Sequence, residues 1–246
     1  MTGWSYAGEP AALGTAGVTL VEGSSFCVCD PSGDMRDGSP QGVFFRDTRI
    51  ISRWQVTLDG EPVETLAVLT QEPWRATFVG RAAPRPGRVE STLLLRRDRY
   101  VGQGMREDLT LENLAGEPAA VRVEISCDAD FADLFEVKQS RVPTRRRPEI
   151  GILDGALRMV RSYPGLGSRR GVVVSSDDAT ASADGLFFDV VVPPPRSPVG
   201  ALTAAESTGI CCRAEQCSPD SSSSSHLVWR QRQNSVSCSA RALPWL

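Results

Sequence analysis

Apolar and polar residues alternate along this chain in short runs. The cleanest is Val121-Arg122-Val123-Glu124-Ile125-Ser126-Cys127, with Val121, Val123, Ile125 and Cys127 on one face and Arg122, Glu124 and Ser126 on the other. A period of two is the signature of a strand with one buried face. Similar strand-like runs occupy 18–21, 26–29, 50–58, 75–79, 90–101, 105–114, 149–153, 156–163, 170–175 and 186–192. Turn signals separate them. Asp59-Gly60, Asp154-Gly155 and Asp184-Gly185 are dipeptides that adopt tight hairpin turns, and Asn113 to Pro118 is a longer turn. The spacing predicts hairpins of 50–58 with 61–68, of 105–114 with 119–127, of 149–153 with 156–163, and of 181–183 with 186–192. No long stretch keeps a helical period. Many short strands with regular turn signals predict an all-β fold, a large antiparallel β-sandwich.

One segment breaks the alternation. Asp128-Ala129-Asp130-Phe131-Ala132-Asp133-Leu134-Phe135-Glu136-Val137 holds four carboxylates and two phenylalanines. Phe131, Leu134 and Phe135 stand at i, i+3 and i+4, which places them on one face of a helical turn. Asp128 or Asp130 is positioned to cap its start, where a side-chain oxygen accepts from free backbone N–H groups. The expectation is a strand running into a short capped turn that plugs two rings into the core.

Several clusters carry candidate chemistry. Arg46, Asp47 and Arg49 follow Phe44-Phe45. They read either as an ion-pair cluster fixing a loop to the core, the commoner use of such groups, or as a surface touching sugar or a neighbouring domain. Arg96, Arg97 and Arg99 are interleaved with Asp98 and Tyr100, and Glu107 and Asp108 follow closely. A solvated or salt-bridged strand fits them better than a phosphate or nucleic-acid patch. The basic loop ending in Arg145-Arg146-Arg147 lacks an aromatic or Gly-rich cradle and reads as an exposed linker. Asp30-Pro31-Ser32-Gly33-Asp34 opens like a calcium loop, but its twelfth position is Gln41 where a glutamate is needed. Cys27 and Cys29 read as two small buried side chains, because zinc needs further ligands and the one histidine is the distant His226. No metal site and no cofactor are expected.

The acidic segment, together with 18–26, Gly42-Val43-Phe44-Phe45-Arg46-Asp47-Thr48-Arg49, Arg96-Arg97-Asp98-Arg99-Tyr100 and Glu107 to Leu114, resembles the N-terminal domain of bacterial glycogen debranching enzymes, the amylo-α-1,6-glucosidase-like family. The resemblance covers about residues 15–192, with the motifs in the family's order. It implies a large sandwich preceding an all-helical (α/α) barrel, in proteins that hydrolyse α-1,6-glucosidic branch points of glycogen-like glucans. It places the catalytic carboxylates in the barrel, so no catalytic residue carries over here. It also implies an α-glucan or a helical-barrel catalytic domain as partner. The candidates for domain-interface or glucan contact are Arg46, Asp47, Arg49, Asp130, Asp133 and Glu136.

The remaining composition narrows the picture. A net charge of −3 over 246 residues offers no reason to expect nucleic acid or an anionic membrane. No apolar run approaches the roughly 20 residues of a membrane span. Seven irregularly spaced cysteines suggest free thiols and a cytoplasmic protein. Of the 27 basic residues only Lys138 is a lysine, as in a GC-rich genome. The expected organisation is a flexible N-terminus (1–15), the sandwich (16–196) and an irregular, low-order tail (197–246). That tail holds Ser221 to Ser225 and the only histidine, and reads as disordered or out of frame. Residues 1–192 alone are then expected to melt like the whole chain.

Three functions follow: an accessory domain of a debranching enzyme, a free-standing carbohydrate-binding module, or a glycosidase using its own acids. A module needs an exposed ring among Trp4, Trp54 and Trp74, of which Trp54 reads as core. A glycosidase needs an acid and a base, roughly 6.5–9.5 Å apart in inverting enzymes. The acids of 128–136 read instead as caps and ion-pair partners.

Overall fold

The computed structural model describes residues 17–85, 90–142, 147–163, 168–195 and 206–217. The strands in chain order are β1 (Val18–Glu22), β2 (Ser25–Cys29), β3 (Gly42–Phe45), β4 (Thr48–Ile51), β5 (Arg53–Leu58), β6 (Glu61–Pro62), β7 (Glu64–Glu72), β8 (Arg75–Arg81), β9 (Leu93–Gly102), β10 (Gly104–Asn113) and β11 (Ala119–Asp128). A single helical turn, α1 (Leu134–Lys138), precedes β12 (Glu149–Leu153), β13 (Ala156–Tyr163), β14 (Ser168–Ser176), β15 (Thr180–Ser182), β16 (Gly185–Val192) and β17 (Glu206–Cys217). The fold is all-β and its strand pairs are antiparallel.

Three sheets share one core. The first is a meander, β1-β2-β3-β4; the second has the order β15-β16-β11-β5-β6; the third has eight strands, β12-β13-β14-β17-β10-β9-β8-β7. Alternation decides which side of each strand faces inward. On β5, Trp54, Val56 and Leu58 are buried while Arg53, Gln55 and Thr57 are half-buried. On β11, the inward residues are those read from the sequence, Val121, Val123, Ile125 and Cys127. These side chains pack against Leu93, Leu95, Leu109 and Leu111 of the large sheet in a continuous core.

Two predicted hairpins turn out to be crossings between sheets. Only Glu61 and Pro62 return along β5; after Val63 the chain enters β7, which pairs with β8 in the large sheet. Likewise β10 and β11 lie in different sheets, so the turn at 114–118 carries the chain across the sandwich. Each segment keeps its alternation in either case, and alternation alone does not say which partner a strand takes. The other two hairpins form as expected.

The acidic segment also differs in detail. Asp133, and not Asp128 or Asp130, caps α1: its side chain accepts from the Phe135 N–H, and the Glu136 side chain accepts from the Asp133 N–H. This is a reciprocal capping box. Phe131 enters the core, but Phe135 is 66% exposed. The cap starts the helix at Leu134, so Phe131 precedes it, at a left-handed backbone position (φ 49°), and does not share the helical face of Phe135.

The third departure is β17. It lies within the stretch expected to be a low-order tail, yet it pairs with β10 on one side and β14 on the other. Its inward residues, Ile210 and Cys212, are buried. Gly104, at φ +142°, is shaped for this neighbour, because a Cβ there would stand 2.2 Å from the Cys212 carbonyl oxygen. Residues 1–16, 196–205 and 218–246, which carry the rest of the expected flexible ends, lie outside the described residues.

A central strand cannot be removed without exposing two ladders of unpaired backbone groups. Deleting residues 206–246 is therefore expected to abolish the cooperative melting transition; an unchanged melting temperature would contradict the placement of β17. Burial pushes the Cys212 thiol up to about 12. Iodoacetamide near pH 8, about where an ordinary thiol begins to react, should leave Cys212 unmodified until denaturant is added.

Candidate functional site

The six residues singled out from the sequence fall around one structural device. Residues 128–134 form a strap that runs along the outer edge of β4. Ser52 N–H donates to Asp128 O (2.8 Å), Arg49 N–H to Ala132 O (2.9 Å), and Leu134 N–H to Asp47 O (2.9 Å). Arg49 then clamps the strap. Its Nε donates to Asp130 Oδ1 at 3.1 Å, its Nη2 pairs with Asp130 Oδ2, and its Nη1 donates to the carbonyls of Ser39 (2.8 Å) and Gln41 (3.0 Å). Arg49 is buried, and a bidentate guanidinium–carboxylate pair with two further acceptors satisfies it. The ion-pair reading of this cluster is the one the geometry realises for Arg49 and Asp130.

The other four candidates act locally. Arg46 and Asp47 are the central residues of the β3–β4 turn, both at positive φ (46° and 61°), and both are exposed. The Arg46 guanidinium lies over the Phe45 ring, 5.2 Å from its centroid. Asp133 and Glu136 form the cap of α1. Tyr163 Oη donates to the carbonyl of Phe131 (3.2 Å), and Arg161 Nη1 to that of Asp130 (3.0 Å). The strap is thus held from β4 on one side and β13 on the other.

A cavity of about 350 Å³ opens beside the strap, lined by Asp37, Ser39, Arg49, Asp128, Asp130 and Arg147 among others. Its carboxylates are occupied. Asp130 takes both of its oxygens to Arg49, Asp128 Oδ1 accepts from the Ala129 N–H (2.7 Å), and Asp37 pairs with Arg53 at 3.2 Å. Arg145 and Arg146 of the basic loop lie outside the described residues.

A second constellation is the most heavily buried. Glu107 on β10 faces into the core with no exposed side-chain surface, between Arg97 and Arg99 of β9. Arg99 Nε and Nη2 donate to Glu107 Oε1 at 3.0 and 2.7 Å. Arg97 Nε and Nη2 donate to Oε1 and Oε2, each at 3.2 Å. Trp54 Nε1 of β5 reaches across from the facing sheet to Oε2 at 2.6 Å. Arg97 Nη1 continues to Asp34 Oδ1 (2.6 Å) and Ser32 O (2.9 Å) in the loop 30–41, and Arg99 Nη1 meets Cys27 Sγ of β2 at 3.8 Å. Of the two expectations for this stretch, a solvated or a salt-bridged strand, the salt-bridged one holds for Arg97 and Arg99, which are buried, whereas Arg96 is exposed. The missed signal was parity: Arg97 and Arg99 continue the Leu93, Leu95 face, and Glu107 sits between Met105 and Leu109. The loop 30–41 is therefore held by protein groups, with Asp34 given to Arg97 and the Asp30 Oδ1 accepting from Ser32 and Asp34.

Burial alone would raise the Glu107 carboxyl; the two guanidiniums more than offset it and hold the group below its ordinary 4.5. A depressed folded-state value means that the unfolded chain binds the extra proton as pH falls. The network's contribution is complete above pH 4.5 and is lost as pH drops through the folded value. Glu107→Gln leaves two buried guanidiniums without their counter-charge and should cost about 3–5 kcal/mol near neutrality. The gap between wild type and this variant, followed by urea unfolding, should narrow as pH falls below 4.5. A gap that does not change with pH would contradict the assignment. At the strap, Arg49→Ala should destabilise by a similar ~3–5 kcal/mol, since it strands Asp130 and two carbonyls.

Comparison with known proteins places this geometry. The profile of the family described as the N-terminal domain of (some) glycogen debranching enzymes matches residues 20–199. No curated protein matches the chain by sequence. Among solved structures, the fold is similar to a putative kojibiose phosphorylase from the human microbiome, at a TM-score of 0.53 and 6% identity. That likeness covers 81% of this chain and 30% of the other, so the chain spans under a third of that protein's length. A weaker likeness is to a putative aldose 1-epimerase from Escherichia coli K12, at a TM-score of 0.45 and 8% identity, covering 82% of this chain and 99% of the other. Identities this low speak to the fold alone.

Proposed function

This chain belongs to the family of N-terminal domains of (some) glycogen debranching enzymes, and we propose that it is a non-catalytic accessory domain. In this reading it supports hydrolysis of α-1,6-branched glucan only within a longer enzyme, packed against a helical-barrel catalytic domain, in the cytoplasm. The single observation that carries the proposal is the state of β12. This strand closes one edge of the eight-stranded sheet, all five of its residues are exposed, and Ile150, Ile152 and Leu153 are each about half open (48%, 54% and 53%). An apolar strand exposed along its length at a sheet edge is a surface made for a partner.

Two further observations support it. Among the acids of the strap and α1, Asp130 is an ion-pair partner and Asp133 and Glu136 form a cap, roles other than the acid–base pair that glycoside hydrolysis needs. Among the described residues the cysteines Cys27, Cys29, Cys127, Cys211 and Cys212 are free thiols, the state favoured by a reducing compartment. No helix among the described residues is long and apolar enough to cross a membrane. A second reading, a carbohydrate-binding module for α-glucans, is favoured by one feature: Trp74 is 37% exposed, whereas Trp54 is fully buried. Trp4 lies outside the described residues.

Incubated alone with pullulan or glycogen, the chain should release no reducing sugar. Release that Asp130→Asn abolishes would overturn the non-catalytic reading. The helical catalytic domain of a full-length debranching enzyme, immobilised on a biosensor, should capture the chain. The pair of substitutions Ile150→Asp and Ile152→Asp should weaken capture at least tenfold, and unchanged capture would remove β12 from the interface.

A further inference from the structure

The outward face of the large sheet carries an organised polar surface that the strap and the buried network do not use. Arg75 of β8, Tyr100 of β9 and Arg106 of β10 stand in register across three strands, and Thr77, Asp98 and Asp108 form the next row. Asp98 points outward yet its side chain is only 8% exposed, because its neighbours cover and hold it. Thr77 Oγ1 donates to Asp98 Oδ1 at 2.6 Å, Arg96 Nε pairs with Oδ2 at 2.9 Å, and Arg75 Nη2 with Oδ1 at 3.5 Å. Beside them Arg106 Nε donates to Asp108 Oδ1 at 2.8 Å. Gly209 of β17 lies opposite Asp108, and a Cβ there would come within 3.1 Å of Asp108 Oδ1, so the smallest residue leaves this pair room to lie along the sheet.

Two aromatic rings close one end of this surface. Trp74, in the β7–β8 turn, leans on Tyr100 with ring centroids 6.1 Å apart and an interplanar angle of 30°. The Arg75 guanidinium lies over Tyr100, 5.2 Å from its centroid. Tyr100 is therefore held by two neighbours, and the partly open Trp74 rests on it. A ring ordered before binding loses little conformational freedom when a ligand stacks on it.

The combination selects a class of ligand. A pyranose has an apolar C–H face, which stacks on an aromatic ring, and hydroxyls that both donate and accept. It needs donors and acceptors side by side, which the Arg–Asp pairs supply. A nucleic acid or other polyanion needs cations left over for its phosphates. Here Arg75, Arg96 and Arg106 are each paired with a carboxylate on the same face. We infer that this face is a sugar-binding surface that takes an α-glucan chain, with one glucose ring stacked on Trp74 and the neighbouring hydroxyls on the Arg–Asp pairs. The choice of α-glucan among pyranose polymers rests on the proposed function. The rows on β8, β9 and β10 span about 10 Å at the usual strand spacing, enough for a short oligosaccharide.

The test uses the full chain in affinity electrophoresis through glycogen and in calorimetry with a linear malto-oligosaccharide. Xylan and a thymidine oligonucleotide serve as competing probes. Saturable glucan binding is expected, with Trp74→Ala weakening it roughly tenfold or more and Trp74→Phe retaining most of it. Arg96→Ala should weaken binding as well, measured well below its melting temperature with a circular dichroism spectrum matching the wild type, which separates loss of contact from loss of fold. Absence of glucan binding, preference for the oligonucleotide or xylan, or glucan binding unaffected by Trp74→Ala would each overturn the inference. None of these results bears on capture by the helical domain through β12, so the accessory role stands or falls separately.

Discussion

Glu107 carries a negative charge in the middle of an apolar core, and the arrangement of the three sheets follows from how that charge is satisfied. Its oxygens accept from Arg97 and Arg99 in its own sheet and from the Trp54 indole of the facing sheet. The arginines spend their remaining N–H groups on the loop 30–41 and on Cys27 of the small meander. One carboxylate thus reaches all three sheets. A buried ion pair is weak evidence for net stability, because apolar side chains of similar volume often do as well. Its stronger consequence is geometric: the donors have fixed directions, so the sheets are compatible with this charge in one register only.

A core specified in this way leaves the periphery free to differentiate. The strap 128–134 hangs from β4 through the Arg49–Asp130 clamp and presents α1 with its exposed Phe135. At one edge of the large sheet β12 offers an apolar strand, while Trp74 and Tyr100 sit at the end of its outward face. These surfaces are carried by different strands, so a partner domain on β12 and a glucan on the sheet face need not compete. The fold supplies rigid placement, and under the proposed accessory role catalysis would belong to a separate helical domain.

Much of this was legible in the sequence, and the failures have particular causes. Period-two alternation located most strands to within a residue or two, because each buries one face. Pairing was less legible: β6 and β7, or β10 and β11, alternate identically whether the chain turns back or crosses to the other sheet. Arg49 reads from the sequence as one member of an ion-pair cluster with Arg46 and Asp47, but its carboxylate partner, Asp130, lies 81 residues on, and Arg46 and Asp47 belong to a turn instead. The cap of α1 was assigned too early because Asp128, Asp130 and Asp133 are all competent caps, and only Asp133 has Glu136 three residues on. The strand β17 escaped notice since its inward positions are Ile210, Cys212 and Ala214, too small a set to stand out in a stretch rich in polar residues. Glu107 is hard to place from sequence because a glutamate is rarely fully buried unless it is paired. Its place between Met105 and Leu109 on the apolar parity was the available clue.

The most direct test of the central claim is a double-mutant cycle between Glu107→Gln and Trp54→Phe, read by equilibrium unfolding. If the carboxylate ties the facing sheets together through the indole, the two substitutions should be coupled by about 1.5–3 kcal/mol, as for a buried hydrogen bond to a charged group. Effects that simply add, within ~0.5 kcal/mol, would mean that the sheets are held by apolar packing alone and that Glu107 is a passenger in the core.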